Sequence, residues 1–176
     1  MSNKRIATIS AIAALYTVVC VAFLPLSYGA VQFRVAEALT LLPVLFFDGI
    51  WGVTVGCLLT NIIGLFTGAN ILGVPDILFG TLATLIAAFA SYKMRRVRFK
   101  GLPLLSALPP IFVNAVIIGL ELTYMLSGSF NLQIFAIQAG LVALGQSVPC
   151  LVLGCLLVYF IEKLGLDKKL FNENVN

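Results

Sequence analysis

Long apolar runs separated by short connectors are the feature of this chain that most constrains its fold. Six such runs, at residues 6–24, 33–47, 50–66, 77–92, 102–126 and 132–161, occupy most of its 176 residues. Only 10% of the residues are charged and 61% are hydrophobic, whereas a soluble domain carries about 25% charged residues and cannot bury so much apolar surface. A helix crosses a membrane with about 20 residues. The pattern predicts an all-α membrane protein, a compact bundle of six transmembrane helices in a single domain over residues 1–176.

Two adjacent runs are shorter than a typical transmembrane helix. At 1.5 Å per residue, a helix of about 16 residues covers only about 24 Å of a hydrocarbon core roughly 30 Å thick. The runs 33–47 and 50–66 are close to this length. They are therefore also compatible with a re-entrant hairpin.

Basic residues divide the chain in a way that sets its orientation. Ten of the 11 lysines and arginines form three clusters. The clusters are Lys4 and Arg5, then Lys93, Arg95, Arg96, Arg98 and Lys100, and finally Lys163, Lys168 and Lys169. With six spans all three clusters fall on one side, which the positive-inside rule makes cytoplasmic. We therefore expect a multi-pass protein of the cell membrane with both termini in the cytoplasm.

Several kinds of chemistry are missing from the sequence. There is no histidine, and the four cysteines lie in apolar runs without a C-x-x-C pair. Histidine-based catalysis and histidine metal sites are excluded, and the cysteines are expected to be buried apolar residues. No G-x-x-x-x-G-K-[ST] loop is present to bind phosphates,. We expect no enzyme activity, no metal or other cofactor, and no nucleic-acid partner, because topology accounts for the basic clusters.

Polar residues in the apolar runs gather on the side opposite the basic clusters. Arg34 precedes Glu37 by three positions, so the two can share a helix face,. Asn61, Glu121 and Gln138 each lie roughly 8–9 Å inside the outer end of a run, by the helical rise. Polar groups are costly in lipid, so all five are candidates for an outward-facing binding cavity. The alternatives are a local ion pair for Arg34 and interhelical hydrogen bonds for the two amides.

Four further candidates belong to the same predicted cavity. Asn114 lies two helical turns before Glu121 and shares its face, nearer the middle of the membrane,. Asn70 and Asp76 are expected in the outer loop between the third and fourth runs. Tyr124, one turn after Glu121, is the residue we expect to stack on a flat ligand. Glu121 is the hardest to explain structurally, since a carboxylate within a span needs a partner, a proton or a ligand.

Small residues indicate where helices approach other surfaces closely. In the third run, Gly52 and Gly56 recur at a step of four, which favours packing within the bundle,. In the first run, Ala7 and Ala11 have the same spacing at the cytoplasmic end. There the stripe is open to docking by a partner protein.

Three segments of the sequence resemble those of a known transporter family. They are residues 32–39 (QFRVAEAL), residues 51–66 with GCLLTN at 56–61, and Asp76 followed by GTLA at 80–83. With these segments and its six-helix layout, the chain resembles the QueT family of substrate-binding (S) components of energy-coupling factor (ECF) transporters. The resemblance covers essentially the whole chain.

The resemblance implies a subunit that captures a scarce micronutrient outside the cell for an ABC-type importer. A transmembrane coupling subunit and two cytoplasmic ATPases would drive uptake, and Ala7 and Ala11 match the family's docking stripe for the coupling subunit. The implied substrates are queuosine precursors, either 7-deazaguanine bases or queuine. The carboxylates and amides above suit the donors and acceptor of such a base. Alternatives are a stand-alone secondary transporter for a polar heterocycle or vitamin, an intramembrane enzyme, and a structural protein.

Overall fold

The computed structural model describes residues 3–23, 27 and 33–167, and this part of the chain consists of helices joined by short connectors. Gln32, Lys168 and Lys169 lie outside the described residues. The helices are α1 (Asn3–Ala22), α2 (Val35–Val44), α3 (Gly49–Phe66), α4 (Val74–Lys93), α5 (Leu108–Ser127) and α6 (Leu132–Lys163). A 3₁₀ turn, Leu105–Ala107, precedes α5, and a π-helical segment, Val148–Gly154, lies within α6.

Five of these helices are long and apolar enough to cross a membrane. They have 20 residues in α1, 18 in α3, 20 in α4, 24 in α5 with its leading turn, and 32 in α6. Lengths near 20 residues match the hydrocarbon thickness of a bilayer. The prediction of an all-helical, multi-pass membrane protein is therefore confirmed, while its orientation stays a prediction.

The second predicted span differs from the expectation. The run 33–47 forms only the 10-residue α2, which is wound as a 3₁₀ helix with Pro43 inside it. At about 2.0 Å per residue it is roughly 20 Å long, too short for a lipid-facing span. Every residue from Ala36 to Val44 is buried. Since α2 is enclosed by the other helices, it does not have to match the thickness of the bilayer. Hydropathy alone does not reveal that a run is enclosed by protein.

The two ends of α2 lie at opposite ends of α1. Arg34, just before α2, donates from Nε to the backbone oxygen of Ser27, which follows α1, at 3.2 Å. Asp48, just after α2, accepts from Arg5 Nε at the start of α1, at 2.7 Å. The chain therefore runs the length of the bundle between Arg34 and Asp48. This favours a crossing over a re-entrant hairpin.

Contacts collect members of the three basic clusters at one end of the bundle. Arg5 bonds Asp48, and the neighbouring Phe47 packs edge-on against Tyr92 at the end of α4, with ring centroids 5.2 Å apart. In the next connector, Arg98 Nη2 bonds Glu162 Oε1 in the last turn of α6 at 2.6 Å. The described members of these clusters therefore have the common location on which the predicted orientation depends.

Small residues allow α1 and α3 to pack closely. A Cβ at Gly52 would lie 2.7 Å from Ile12 Cγ2, and one at Gly56 would lie 2.7 Å from Tyr16 Cβ. Neither separation is tolerated by real side chains. The predicted internal packing of this glycine stripe is confirmed.

Candidate functional site

A buried ion pair stands at the end of the bundle opposite the basic clusters. Arg34 Nη2 lies 3.4 Å from Asp76 Oδ2, and the two residues are 5% and 0% exposed. Charges removed from water must be paired, and Arg34 and Asp76 bring opposite charges together at this place. The partner is not the one that sequence spacing indicated, since the ion pair in the structure joins Arg34 to Asp76 rather than to Glu37.

Asp76 also occupies a different element from the predicted one. We expected it in the outer loop, but α4 begins at Val74 and carries Asp76 in its first turn. Pro75 is at one of the first helical positions, where its fixed φ angle favours helix initiation. A carboxylate in the first turn is stabilised by the helix dipole. Asn70 lies in the preceding loop, as expected.

Two asparagines fix the position of Asp76. Asn70 Nδ2 donates to Asp76 Oδ2 at 2.8 Å, and Asn70 Oδ1 accepts from the backbone N–H of Leu72 at 3.1 Å. Asn61 Nδ2 on α3 donates to the backbone oxygen of Asp76 at 2.9 Å. The segment before α2, the end of α3 with its loop, and the start of α4 are thereby joined at one residue, Asp76.

Gly80 provides the space for this arrangement. It lies one helical turn after Asp76, and a Cβ there would overlap the Asp76 carboxylate and come within 2.9 Å of Asn61 Nδ2. Any larger residue would displace both side chains. Gly80 begins the segment GTLA, which contributes to the family resemblance. The structure gives this glycine a direct role in shaping the cluster.

Glu37 is buried one turn along α2 from Arg34 and has partners that sequence analysis missed. Tyr16 Oη on α1 donates to Glu37 Oε1 at 2.8 Å. Gln146 on α6 is 3% exposed, and the Cys150 thiol lies 3.7 Å from its Oε1 and 3.8 Å from the backbone oxygen of Glu37. Gln146 is itself a polar residue in an apolar run, a signal that could have identified it.

Several buried polar atoms of this region have no hydrogen-bond partner among the described residues. The acceptors are Glu37 Oε2, Asn61 Oδ1, Asp76 Oδ1 and both carboxylate oxygens of Glu121, and the donor is Asn114 Nδ2. Buried polar atoms without partners are rare in native proteins and are costly. Because most of these atoms are acceptors, the region mainly lacks hydrogen-bond donors.

A cleft of about 700 Å³ lies beside the ion pair, between α4, α5 and the loop that carries Asn70. Its lining is apolar apart from one carboxylate and one phenol. The lining residues are Leu72, Pro75, Phe79, Ile117, Leu120, Glu121, Tyr124 and Met125. The volume is in the range typical of small-molecule sites. Tyr124, expected to stack on a ligand, lines this cleft with 54% of its surface exposed.

The predicted site residues therefore fall into three groups. The structure joins Arg34, Asn61, Asn70 and Asp76 directly, with Glu37 one turn away on α2. Glu121 and Tyr124 line the adjoining cleft. The other two make no hydrogen bond to the cluster among the described residues: Asn114 is buried on α5, and Gln138 is half-buried on α6.

Apolar helices of membrane-spanning length around a buried, incompletely satisfied polar cluster characterise a multi-pass membrane transport protein. The chain belongs to the QueT transporter family, whose family model (QueT transporter) matches residues 6–163. This match confirms the family predicted from the sequence and gives the protein a transport role with a small-molecule substrate. No curated protein and no solved structure matches the chain.

Proposed function

We propose that the protein is the membrane-embedded S component of an ECF-type ABC importer. In this proposal it captures a queuosine precursor, a 7-deazaguanine base or queuine, on the outer side of the cell membrane. The observation that carries the proposal is the buried cluster around Asp76, whose unpartnered atoms are nearly all acceptors. A ligand that brings several adjacent donors would satisfy them.

A 7-deazaguanine has the complementary edge. Its Watson–Crick edge presents two adjacent N–H donors and a single carbonyl acceptor. The free oxygens of Glu37 and Asp76 can receive the donors, and the free Nδ2 of Asn114 can donate to a carbonyl,. Proteins that hold a lone base commonly bind this edge and stack against its faces.

The energy for uptake would come from partners. The sequence has no phosphate-binding loop of its own, which is consistent with ATPases on separate chains. Ala7 and Ala11 are exposed on α1, and α1 is the least buried long helix at 22%, against 39–50% for the others. An accessible face of small residues suits close approach by a helix of the coupling subunit.

Binding of ligand by the purified, detergent-solubilised protein tests the proposal. We expect saturable binding of a 7-deazaguanine base in titration calorimetry, and no binding of adenine, which lacks the paired donors. If the protein binds neither 7-deazaguanines nor queuine, the proposed substrate is wrong. Uptake in proteoliposomes without any ATPase subunit would instead support the stand-alone secondary transporter.

Replacing Glu37 by glutamine tests the cluster itself. The amide retains an oxygen for the Tyr16 hydroxyl but loses the charge and one acceptor,. We expect affinity for the base to fall at least about tenfold, or about 1.4 kcal/mol.

The matched control for this variant is Glu162→Gln, which removes a carboxylate paired with Arg98 at the other end of the bundle. This control should bind like the wild type. Unchanged affinity in Glu37→Gln would remove Glu37 from the site.

A further inference from the structure

Glu121 is a carboxylate in an apolar environment without a described partner. Both of its oxygens are buried and accept no hydrogen bond among the described residues. The other residues that line its cleft are apolar except Tyr124, whose exposed ring stands one turn further along α5. An ionised carboxylate is costly in such a place unless a cation or strong donors reach it.

Other carboxylates of the region already have their partners. Asp76 is paired with Arg34 and held by Asn70, and Glu37 accepts from Tyr16. If all are ionised, the three carboxylates and one guanidinium leave an excess of negative charge. A cation supplied from outside the chain would balance Glu121.

The cleft adjoins the buried cluster along one short segment. Leu72 and Pro75 line the cleft, and Asn70 and Asp76 on the same segment belong to the cluster. Glu121 is within electrostatic range of both Asp76 and Arg34. Leu72 also packs on Ile118 and Leu122 of α5, which holds the segment against the helix that carries Glu121. A ligand bound in the cluster would therefore lie next to the cleft and to Glu121.

We propose that Glu121 determines specificity by binding a cationic amine on the ligand, while the cleft encloses the apolar atoms that carry this amine. The inference rests on the proposed function for the base, which binds in the cluster. A short substituent on the base would extend from the cluster into the cleft. An amine at its end would form a charge-assisted hydrogen bond with the carboxylate, which is about twice as strong as a neutral one.

A matched pair of ligands tests this inference. The probes are two 7-deazaguanines that differ only in the substituent on C7, an aminomethyl group in one and a nitrile in the other. The wild-type protein should bind the aminomethyl base at least about tenfold more tightly. Equal affinities would overturn the inference and leave the proposed function intact. Failure of both bases to bind would overturn the proposed function together with the inference.

Two variants separate charge recognition from general damage to the site. Glu121→Gln keeps the shape of the side chain and should reduce the preference for the aminomethyl base to less than about twofold. Its affinity for the nitrile base should change by less than about threefold. Glu37→Gln is the comparison, since it should weaken both bases alike and preserve the preference. A Glu121→Gln protein that keeps the wild-type preference would overturn the inference, as would loss of the preference in Glu37→Gln alone.

Folding of the variants is checked by gel filtration and thermal unfolding in detergent. If Glu121→Gln does not fold, Glu121→Asp is measured instead, since it retains the charge and withdraws it by one methylene. It should keep a preference for the amine, at lower affinity. The preference of the wild-type protein between the two bases tests the inference without any substitution.

Discussion

At the scale of single residues, the site depends on a glycine as much as on its charged groups. Asp76 and Asn61 occupy their positions because Gly80 has no side chain. Sequence analysis identified both polar residues, since polar groups in apolar runs are conspicuous. It missed Tyr16 and Gln146, because a tyrosine hydroxyl within an apolar helix does not indicate which carboxylate it will meet. Spacing along the chain offers a local ion pair with Glu37 as one alternative for Arg34, whereas the fold provides a partner 42 positions away.

The substitution Gly80→Ala tests this dependence. The added methyl group would displace the Asp76 carboxylate, so we expect affinity for the base to fall at least about tenfold, measured by titration calorimetry.

Gly140→Ala on α6 is the control, since its Cβ would meet nothing within 4 Å. Alanine is favoured over glycine in a helix by about 1 kcal/mol, so this variant should bind normally and unfold no more easily. Wild-type affinity in Gly80→Ala would mean that the geometry of the cluster tolerates change and does not govern binding.

At the scale of elements, hydropathy locates all six helices but does not show that α2 is enclosed by the others. The ends of α3 and α6 fall close to those of the runs, because polar or glycine-containing connectors bound them. The run 33–47 is apolar enough to predict a transmembrane span, but it forms the enclosed 3₁₀ helix α2. A hydropathy pattern cannot distinguish burial in protein from burial in lipid, since both favour apolar residues. The start of α4 was missed because a proline followed by an aspartate is also typical of a turn.

The exposed face of α1 yields a prediction at this scale. Ala11→Trp should abolish ATP-driven uptake by the reconstituted complex, because a large side chain prevents close approach of a partner helix. Binding of the base by the isolated subunit should stay within about twofold of wild type, measured by calorimetry.

Val116→Trp is the control for Ala11→Trp, since it adds similar bulk at a residue that is 49% exposed on a different helix, α5. Uptake should survive in this variant. Retained uptake in Ala11→Trp, with an assembled complex, would show that this face of α1 does not dock.

At the scale of the whole molecule, the polar cluster and the basic clusters occupy opposite ends of the bundle. The contacts Arg5–Asp48 and Arg98–Glu162 define one end, and Arg34–Asp76 defines the other. Sequence analysis predicted this separation from two independent patterns, namely the positions of lysines and arginines and the depth of polar residues. From the positive-inside rule we expect the polar cluster on the outer side of the membrane.

Accessibility of introduced cysteines in whole cells tests this orientation. The four native cysteines are buried, so they should not react with a membrane-impermeant maleimide. A cysteine at Ser129, exposed between α5 and α6, should be labelled in intact cells. A cysteine at Arg96, exposed after α4, should be labelled only after permeabilisation. The opposite labelling would place the polar cluster on the cytoplasmic side and would rule out capture from outside.

The hydrogen bond from Tyr16 to Glu37 offers a way for a docking partner to distinguish a ligand-bound subunit from an empty one. Helix α1 carries Ala7 and Ala11 on its exposed side and Tyr16 on its buried side. If Glu37 shifts when it binds a ligand, its hydrogen bond to Tyr16 transmits the shift to α1. This is the helix on which a coupling subunit would dock. The contents of the site and the docking face are therefore linked within a single helix.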